Sequence, residues 1–244
     1  MKQYEAVIKV MKDNCGFATL GYLYQNVLKI KNCEWKTQTP FASIRRIVQD
    51  KRFFFKIKPG LWALKSYKDK LPFDILPVKN ISQPEQEELN HSYYQGLLVE
   101  IGNLKGFKTF IPYQDKNKKY LGKKLNDIIT IKEFYQFSYE GIIRIAKTID
   151  VSWYNMRKMP AALFEVEYST NIQNSLLKFV ELRDFNTKFF IVADNVRKKE
   201  FSRKISLNAF TPIRQRVKFM DYDKLSDWHS KTNEIITLED DPKI

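Results

Sequence analysis

The sequence predicts an α/β (α+β) chain in two parts, a helical head closed by a β-hairpin and a mixed β-sheet core flanked by helices. Three observations carry this. Residues 1–68 hold three apolar helical patterns and end in a Pro-Gly turn between two short strand runs. A proline-punctuated acidic stretch follows at 69–88. Beyond it, over 89–244, short β-branched and aromatic runs alternate with helical segments, the pattern of a sheet covered by helices.

In the head, Tyr4, Val7, Ile8 and Met11 fall on one helix face, and Leu20, Leu23, Tyr24 and Val27 repeat the spacing behind a Thr19 cap. Thr39-Pro40 starts a third helix, with threonine at the cap and proline at the first helical position. That helix buries Phe41, Ile44, Ile47 and Val48. Its other face shows Ser43, Arg46, Gln49 and Asp50, with Arg45 on the flank. Arg52 to Ile57 and Leu61 to Leu64 read as strands about Lys58-Pro59-Gly60, where proline then glycine suits a type II turn. Three helices and a two-stranded wing make a winged helix-turn-helix.

The stretch 69–88, with Leu71-Pro72, Leu76-Pro77, Gln83-Pro84 and Glu85-Gln86-Glu87-Glu88, reads as a linker. A helix then runs from about Leu89 to Lys105, with Tyr93, Leu97, Ile101 and Leu104 on its apolar face. Strands are predicted at 107–113, 149–154, 162–168, 188–193 and 216–221, and helices at 171–185 and 196–208. Between the first two strands lies an insertion with five lysines in the nine residues from Lys116 to Lys124.

Composition narrows the function. The chain has 244 residues, 43% of them hydrophobic, and no apolar run long enough to span a membrane. The N-terminus lacks the basic-then-apolar pattern of a signal peptide, so the chain is read as soluble and cytoplasmic. Two cysteines and two distant histidines cannot make a four-ligand zinc site, and neither histidine sits in a nuclease or hydrolase motif. Chemistry must rest on carboxylates, lysines or tyrosines.

The net charge of +14 is uneven: +10 falls on residues 1–68, −3 on 69–90 and +7 on the rest. A small, strongly basic head suggests a polyanion partner, duplex DNA. Ser43, Arg45, Arg46 and Gln49 on the third helix could read base edges, and Lys56 and Lys58 on the wing could lie against phosphates. Such heads also serve as protein-docking modules, and any helix has a polar face.

The second constellation is acidic. Asp150 stands in a strand, and fourteen residues later comes Phe164-Glu165-Val166-Glu167-Tyr168, where both glutamates point to one side and the apolar residues to the other. Bare carboxylates on a sheet covered by helices are costly unless partnered. Asp150 and Glu165 on adjoining strands could share a divalent cation, and Glu100, on the apolar side of the first helix, needs a partner too. A solvated strand residue is the ordinary reading of any one of them.

Two resemblances add to this. The head resembles the HARE-type winged-helix family through Thr39-Pro40, Ser43-Ile44-Arg45-Arg46-Ile47, Arg52-Phe53 and Pro59-Gly60-Leu61-Trp62-Ala63-Leu64, which implies DNA binding. Over about residues 89–225, a helix with Glu100, a strand with Asp150, a strand with Glu165-Val166-Glu167, then helix and strand resemble the PD-(D/E)XK superfamily of restriction-endonuclease-like nucleases. The Phe164 to Thr170 run also looks like a bacterial group of restriction-type proteins with a winged head.

By that likeness, Glu100, Asp150, Glu165 and Glu167 are the catalytic set, and Asp150 and Glu165 bind magnesium, for which manganese would substitute. The chain would be a type II-like restriction endonuclease cutting double-stranded DNA, and a homodimer, since one candidate site faces two strands. The usual motif lysine is Glu167 here, which would act as general base or second-metal ligand; alternatively Lys147 supplies the cation. The alternative is a non-catalytic DNA-binding protein with an inactive nuclease-like fold.

Overall fold

The computed structural model describes residues 1–76, 81–169 and 171–239. They fall into two compact units, one from Met1–Lys79 together with Ser226–Ile244, the other from Asn80–Leu225.

The first unit runs α1 (Gln3–Asp13), β1 (Phe17–Thr19), α2 (Leu20–Val27), α3 (Pro40–Ile47), β2 (Phe54–Lys58) and β3 (Leu61–Leu64). Thr19 caps α2, its Oγ1 accepting from the Tyr22 N–H at 3.1 Å, and Pro40 opens α3. Val7, Met11, Leu23, Tyr24, Phe41, Ile44, Val48 and Phe54 form its core. The hairpin turns at Pro59-Gly60, and Gly60 takes φ 75°, the conformation that a type II turn demands of its third residue. The sequence pattern missed β1, which pairs antiparallel with β3 and makes the sheet three-stranded, in the order β1-β3-β2. Three residues are too short a run to show alternation.

The second unit opens with α4 (Gln83–Leu104), so Glu85 to Glu88, read from sequence as the end of a linker, are helical. The reason is local: Ser82 and Glu85 form a capping box, and Pro84 lies in the first turn, where its missing N–H costs nothing. Of the predicted linker, residues 77–80 lie outside the described residues. After α4 come β4 (Lys108–Phe110), β5 (Lys119–Tyr120), β6 (Lys123–Lys124), α5 (Leu125–Ile128), α6 (Glu140–Ala146), β7 (Val151–Tyr154) and β8 (Pro160–Glu167). Then follow α7 (Ile172–Glu181), β9 (Lys188–Ala193), α8 (Lys198–Ile205), β10 (Val217–Asp221) and α9 (Tyr222–Glu239).

The central sheet has the order β10-β9-β8-β7-β4, antiparallel from β4 to β8 and parallel from β8 to β10. The α/β (α+β) class with a mixed sheet flanked by helices is therefore what the chain forms. One face carries Phe110, Tyr154, Leu163, Phe189 and Ile191 under α6 and α7. On the other, Trp153 and Phe164 lie against α4, and the Trp153 indole N–H donates to the Leu98 carbonyl at 3.1 Å. The sequence reading did not include α6, the β5–β6 ribbon or α9. From Ser226 onward α9 belongs to the first unit, where Asn233 accepts from Gln25 at 2.7 Å and fills the space left by Gly21. Among the described residues no helix is long and apolar enough to cross a membrane.

Close approach to α4 depends on two glycines. A Cβ on Gly96 would stand 2.1 Å from the Tyr120 ring, and one on Gly102 would stand 2.6 Å from both Thr109 and Trp153. Gly96→Ala is therefore expected to destabilise the fold by about 1–3 kcal/mol through overpacking. Gly141→Ala, whose Cβ would meet Tyr139 at an ordinary 3.4 Å, should leave stability unchanged or raise it by up to about 1 kcal/mol. Urea melts of the two variants check the contrast.

Candidate active site

The site grows from the end of β8. Its alternation holds: Phe164 stacks on Phe190 on one side of the sheet, while Glu165 and Glu167 both reach Ser175 of α7 on the other. β7 and β8 pair with Val151 opposite Phe164, and Asp150, predicted within the strand, lies in the bend just before β7, where its side chain accepts from the Val166 backbone next to Glu165. The three acids line an open cleft of about 440 Å³ with Glu87, Glu88 and His91 of α4, Lys118, and Asn171, Asn174, Ser175 and Lys178 of the β8–α7 segment.

Each carboxylate is held differently. Asp150 Oδ2 accepts the Val166 N–H at 2.7 Å and faces His91 Nε2 at 3.2 Å. Burial works against its charge, but the His91 and Val166 contacts hold its pKa below the ordinary aspartate value. Glu165 is 2% exposed and receives the Lys178 ammonium on both oxygens, at 3.0 and 2.9 Å. Burial and the neighbouring Asp150 nevertheless push its pKa up to about 8. Lys178 is itself partly buried, which pulls its pKa down, but Glu165 outweighs this and keeps it above the ordinary lysine value. It stays an ammonium.

Ser175 lies within hydrogen-bonding distance of both Glu165 and Glu167. One hydroxyl proton cannot serve two carboxylates, so one of the pair must carry a proton of its own for both contacts to be hydrogen bonds. The raised pKa of Glu165 supplies it. Glu167 further has the Arg197 guanidinium at 3.9 Å, and Tyr222, stacked on Tyr94, donates to the Glu167 carbonyl at 3.0 Å.

The structure thus brings together Asp150, Glu165 and Glu167, but not Glu100. That residue lies about 13 Å further along α4 than His91, beside the Tyr93 and Tyr120 rings. Lys147 is also elsewhere: it caps the C-terminus of α6 with its ammonium 5.8 Å from the Phe134 ring centre. The lysine hydrogen-bonded to the acids is Lys178, which donates to Glu165. Sequence reasoning missed it, along with Ser175 and His91. The available signal was that Lys178 is the one basic residue of the α7 segment and lies three after Ser175, on the same helix face.

Among the described residues no group of three or more His, Cys, Asp or Glu side chains forms a ready-made metal site. Asp150 and Glu165 still offer two carboxylates, and Asp150 Oδ1 has no hydrogen bond among the described residues. Two carboxylates, with water and phosphate oxygens completing the shell, are the sparse ligation that magnesium accepts. The donor set fits a hard cation on those terms.

In the first unit, Arg46, Gln49 and Lys56 are exposed, and Ser43, Arg45 and Lys58 are half-buried. Arg45 lies beside the Tyr24 hydroxyl. Burial brings the Lys58 pKa down to about 8.

The Glu165 proton has a consequence for stability. Its pKa rises on folding, so the stabilisation is complete below the ordinary value of 4.5 and is lost as pH climbs through about 8. Glu165→Gln removes that titration. In chelator, the melting temperature of the variant relative to the unmodified protein should therefore climb steadily between about pH 5 and about pH 9. A difference independent of pH would show that Glu165 is not the group that holds the proton.

A family model for the C-terminal domain of the type II restriction enzyme NmeDI matches residues 74–239. The type II restriction enzyme NmeDI of Neisseria meningitidis serogroup C is 33% identical over 122 residues, covering 46% of this chain and 35% of that enzyme. The match thus spans about a third of the relative's length. No solved structure matches the chain. The family model takes in the acidic cleft and the whole five-stranded sheet, and on it the chain belongs to the family of the type II restriction enzyme NmeDI C-terminal domain.

Proposed function

We propose that the chain is a restriction-type endonuclease that hydrolyses phosphodiesters of double-stranded DNA with a divalent metal, magnesium or in its place manganese. The observation that carries the reading is the cleft that gathers Asp150, Glu165 and Glu167, with the Lys178 ammonium donating to both oxygens of Glu165. Family membership and the similarity to a type II restriction enzyme support it. So does the charge, +14 over the chain.

In this reading Asp150 and Glu165 hold the metal, which when bound polarises the scissile phosphate and acidifies the attacking water. Lys178 takes the place of the missing motif lysine, from α7 rather than from β8. As an ammonium it cannot abstract a proton; it donates hydrogen bonds and offsets charge on the phosphate as it builds. Glu167, fixed by Ser175 and faced by Arg197, is the acceptor for the proton of water, the role of an E-x-E variant of the PD-(D/E)XK pattern. The first unit acts as a HARE-like winged helix, with Ser43, Arg45, Arg46 and Gln49 toward bases and Lys56 and Lys58 toward phosphates. A homodimer would bring one site to each strand.

A second reading, a DNA-binding protein without catalysis, is favoured by the absence of a three-donor metal group among the described residues. Calorimetry with magnesium or manganese separates the two: the protein should bind either ion, and Asp150→Ala/Glu165→Ala should not. Equal heats for both proteins would leave only the second reading.

The lysine assignment has its own check. In plasmid and phage DNA cleavage, Lys178→Ala should be slower by on the order of 10²–10³, as for loss of a charged donor at the reacting group. Glu167→Gln should fall by about 10²–10⁴. Lys147→Ala should cut at the unmodified rate, and the opposite ranking of the two lysines would return the role to Lys147.

A further inference from the structure

The lysine-rich insertion forms the two-stranded ribbon β5–β6, and its register is unusual. Lys119 stands directly opposite Lys124, and Tyr120 opposite Lys123. Like charges facing each other across a strand pair destabilise it. Lys119, Lys123 and Lys124 are all exposed, and among the described residues none of the three has an ion-pair partner. The nearby Asp127 carboxylate is taken by the Lys124 backbone N–H at 3.0 Å.

Nor does the ribbon hang loose. The Tyr120 side chain is 2% exposed and sits against Gly96, where a Cβ would stand 2.1 Å from its ring. Residues on one face of a strand pair alternate with the other. With Tyr120 turned to α4, Lys119 and Lys124 stand on the solvent face as a pair. The turn is two residues, Leu121 and Gly122, at φ 49° and 80°, which keeps the strands in register. The strand starts one residue after Lys118, which lines the acidic cleft and pairs with Asp115 at 2.7 Å.

We propose that the Lys119–Lys124 ribbon is a clamp for the DNA phosphate backbone beside the cleft. The proposal rests on the duplex-DNA reading above and adds a contact in the second unit to those expected of the first. A phosphate between two facing ammonium groups removes the repulsion that the register creates, and the contact carries no base information. Its place, one residue from the cleft, holds the strand on the flank of the acids, where negative charge would otherwise push it away.

The test uses the full chain, a labelled random-sequence duplex and chelator, so that binding is read without cleavage. Lys119→Ala/Lys124→Ala is compared with Lys188→Ala/Lys218→Ala, which removes the same charge from exposed positions on β9 and β10. The ribbon variant should bind more weakly and lose about one to two units of the slope of log affinity against log salt, at about 0.9 per phosphate. It should melt no lower than the unmodified protein, since a repulsion has gone. Equal affinity and slope in ribbon and control variants would overturn the clamp and leave the nuclease reading intact. If the unmodified protein binds and the ribbon variant does not, while neither cuts, the clamp stands and the nuclease reading falls. No duplex binding by the unmodified protein at low salt would end both.

Discussion

The contact between Glu165 and Lys178 is the constraint around which the second unit is arranged. A strand buried on both faces leaves the Glu165 carboxyl only 2% exposed at the floor of the cleft, and an unpaired charge there costs several kcal/mol. Lys178 reaches it from α7, and its ammonium also donates to the Thr148 carbonyl at 3.1 Å, two residues before Asp150. One side chain thereby ties together α7, β8 and the approach to β7. Removing it would leave the Glu165 carboxyl without its cationic partner, so this side chain supports the local packing as well as the site.

The remaining polar contacts follow from that arrangement. Gln95, fully buried on α4, donates to Asp115 at 2.8 Å and to the Asp150 carbonyl at 3.1 Å, which places the backbone at Asp150. Asp115 in turn holds Lys118. Tyr222 and Tyr94 stack at 3.8 Å, and Tyr222 fixes the backbone at Glu167. The acids are thus held through their main chain as well as their side chains.

Much of this was legible in the sequence, and the reasons for the rest are physical. Strand alternation reports side-chain direction with a period of two, so the shared orientation of Glu165 and Glu167 could be read from five residues. The chain order of the five sheet strands, with α4, α7 and α8 among them, was legible too, since β-branched and aromatic runs mark buried strands. The helix contribution was harder. Every residue of α4 from Ser92 to Val99 is buried, so its apolar pattern has no single face and gave no way to rank Glu100 against His91. Lys178 sits between Leu177 and Phe179, and only packing reveals that its stem is covered and its ammonium aimed inward. α9 buries Ser226, His229, Ser230, Thr232 and Asn233, and such polar burial is invisible to a hydrophobic pattern.

The strict alternation along β8 does more than aim the acids. Shifting its pairing by a single residue would turn Glu165 and Glu167 into the aromatic layer of Trp153 and Phe190, and would leave Phe164 in the cleft. Every such mispaired chain would carry two charges in an apolar layer with no lysine to meet them. The carboxylates therefore act as proofreaders of assembly: the residues read here as the reactive group are also the ones that make the wrong sheet too costly to form.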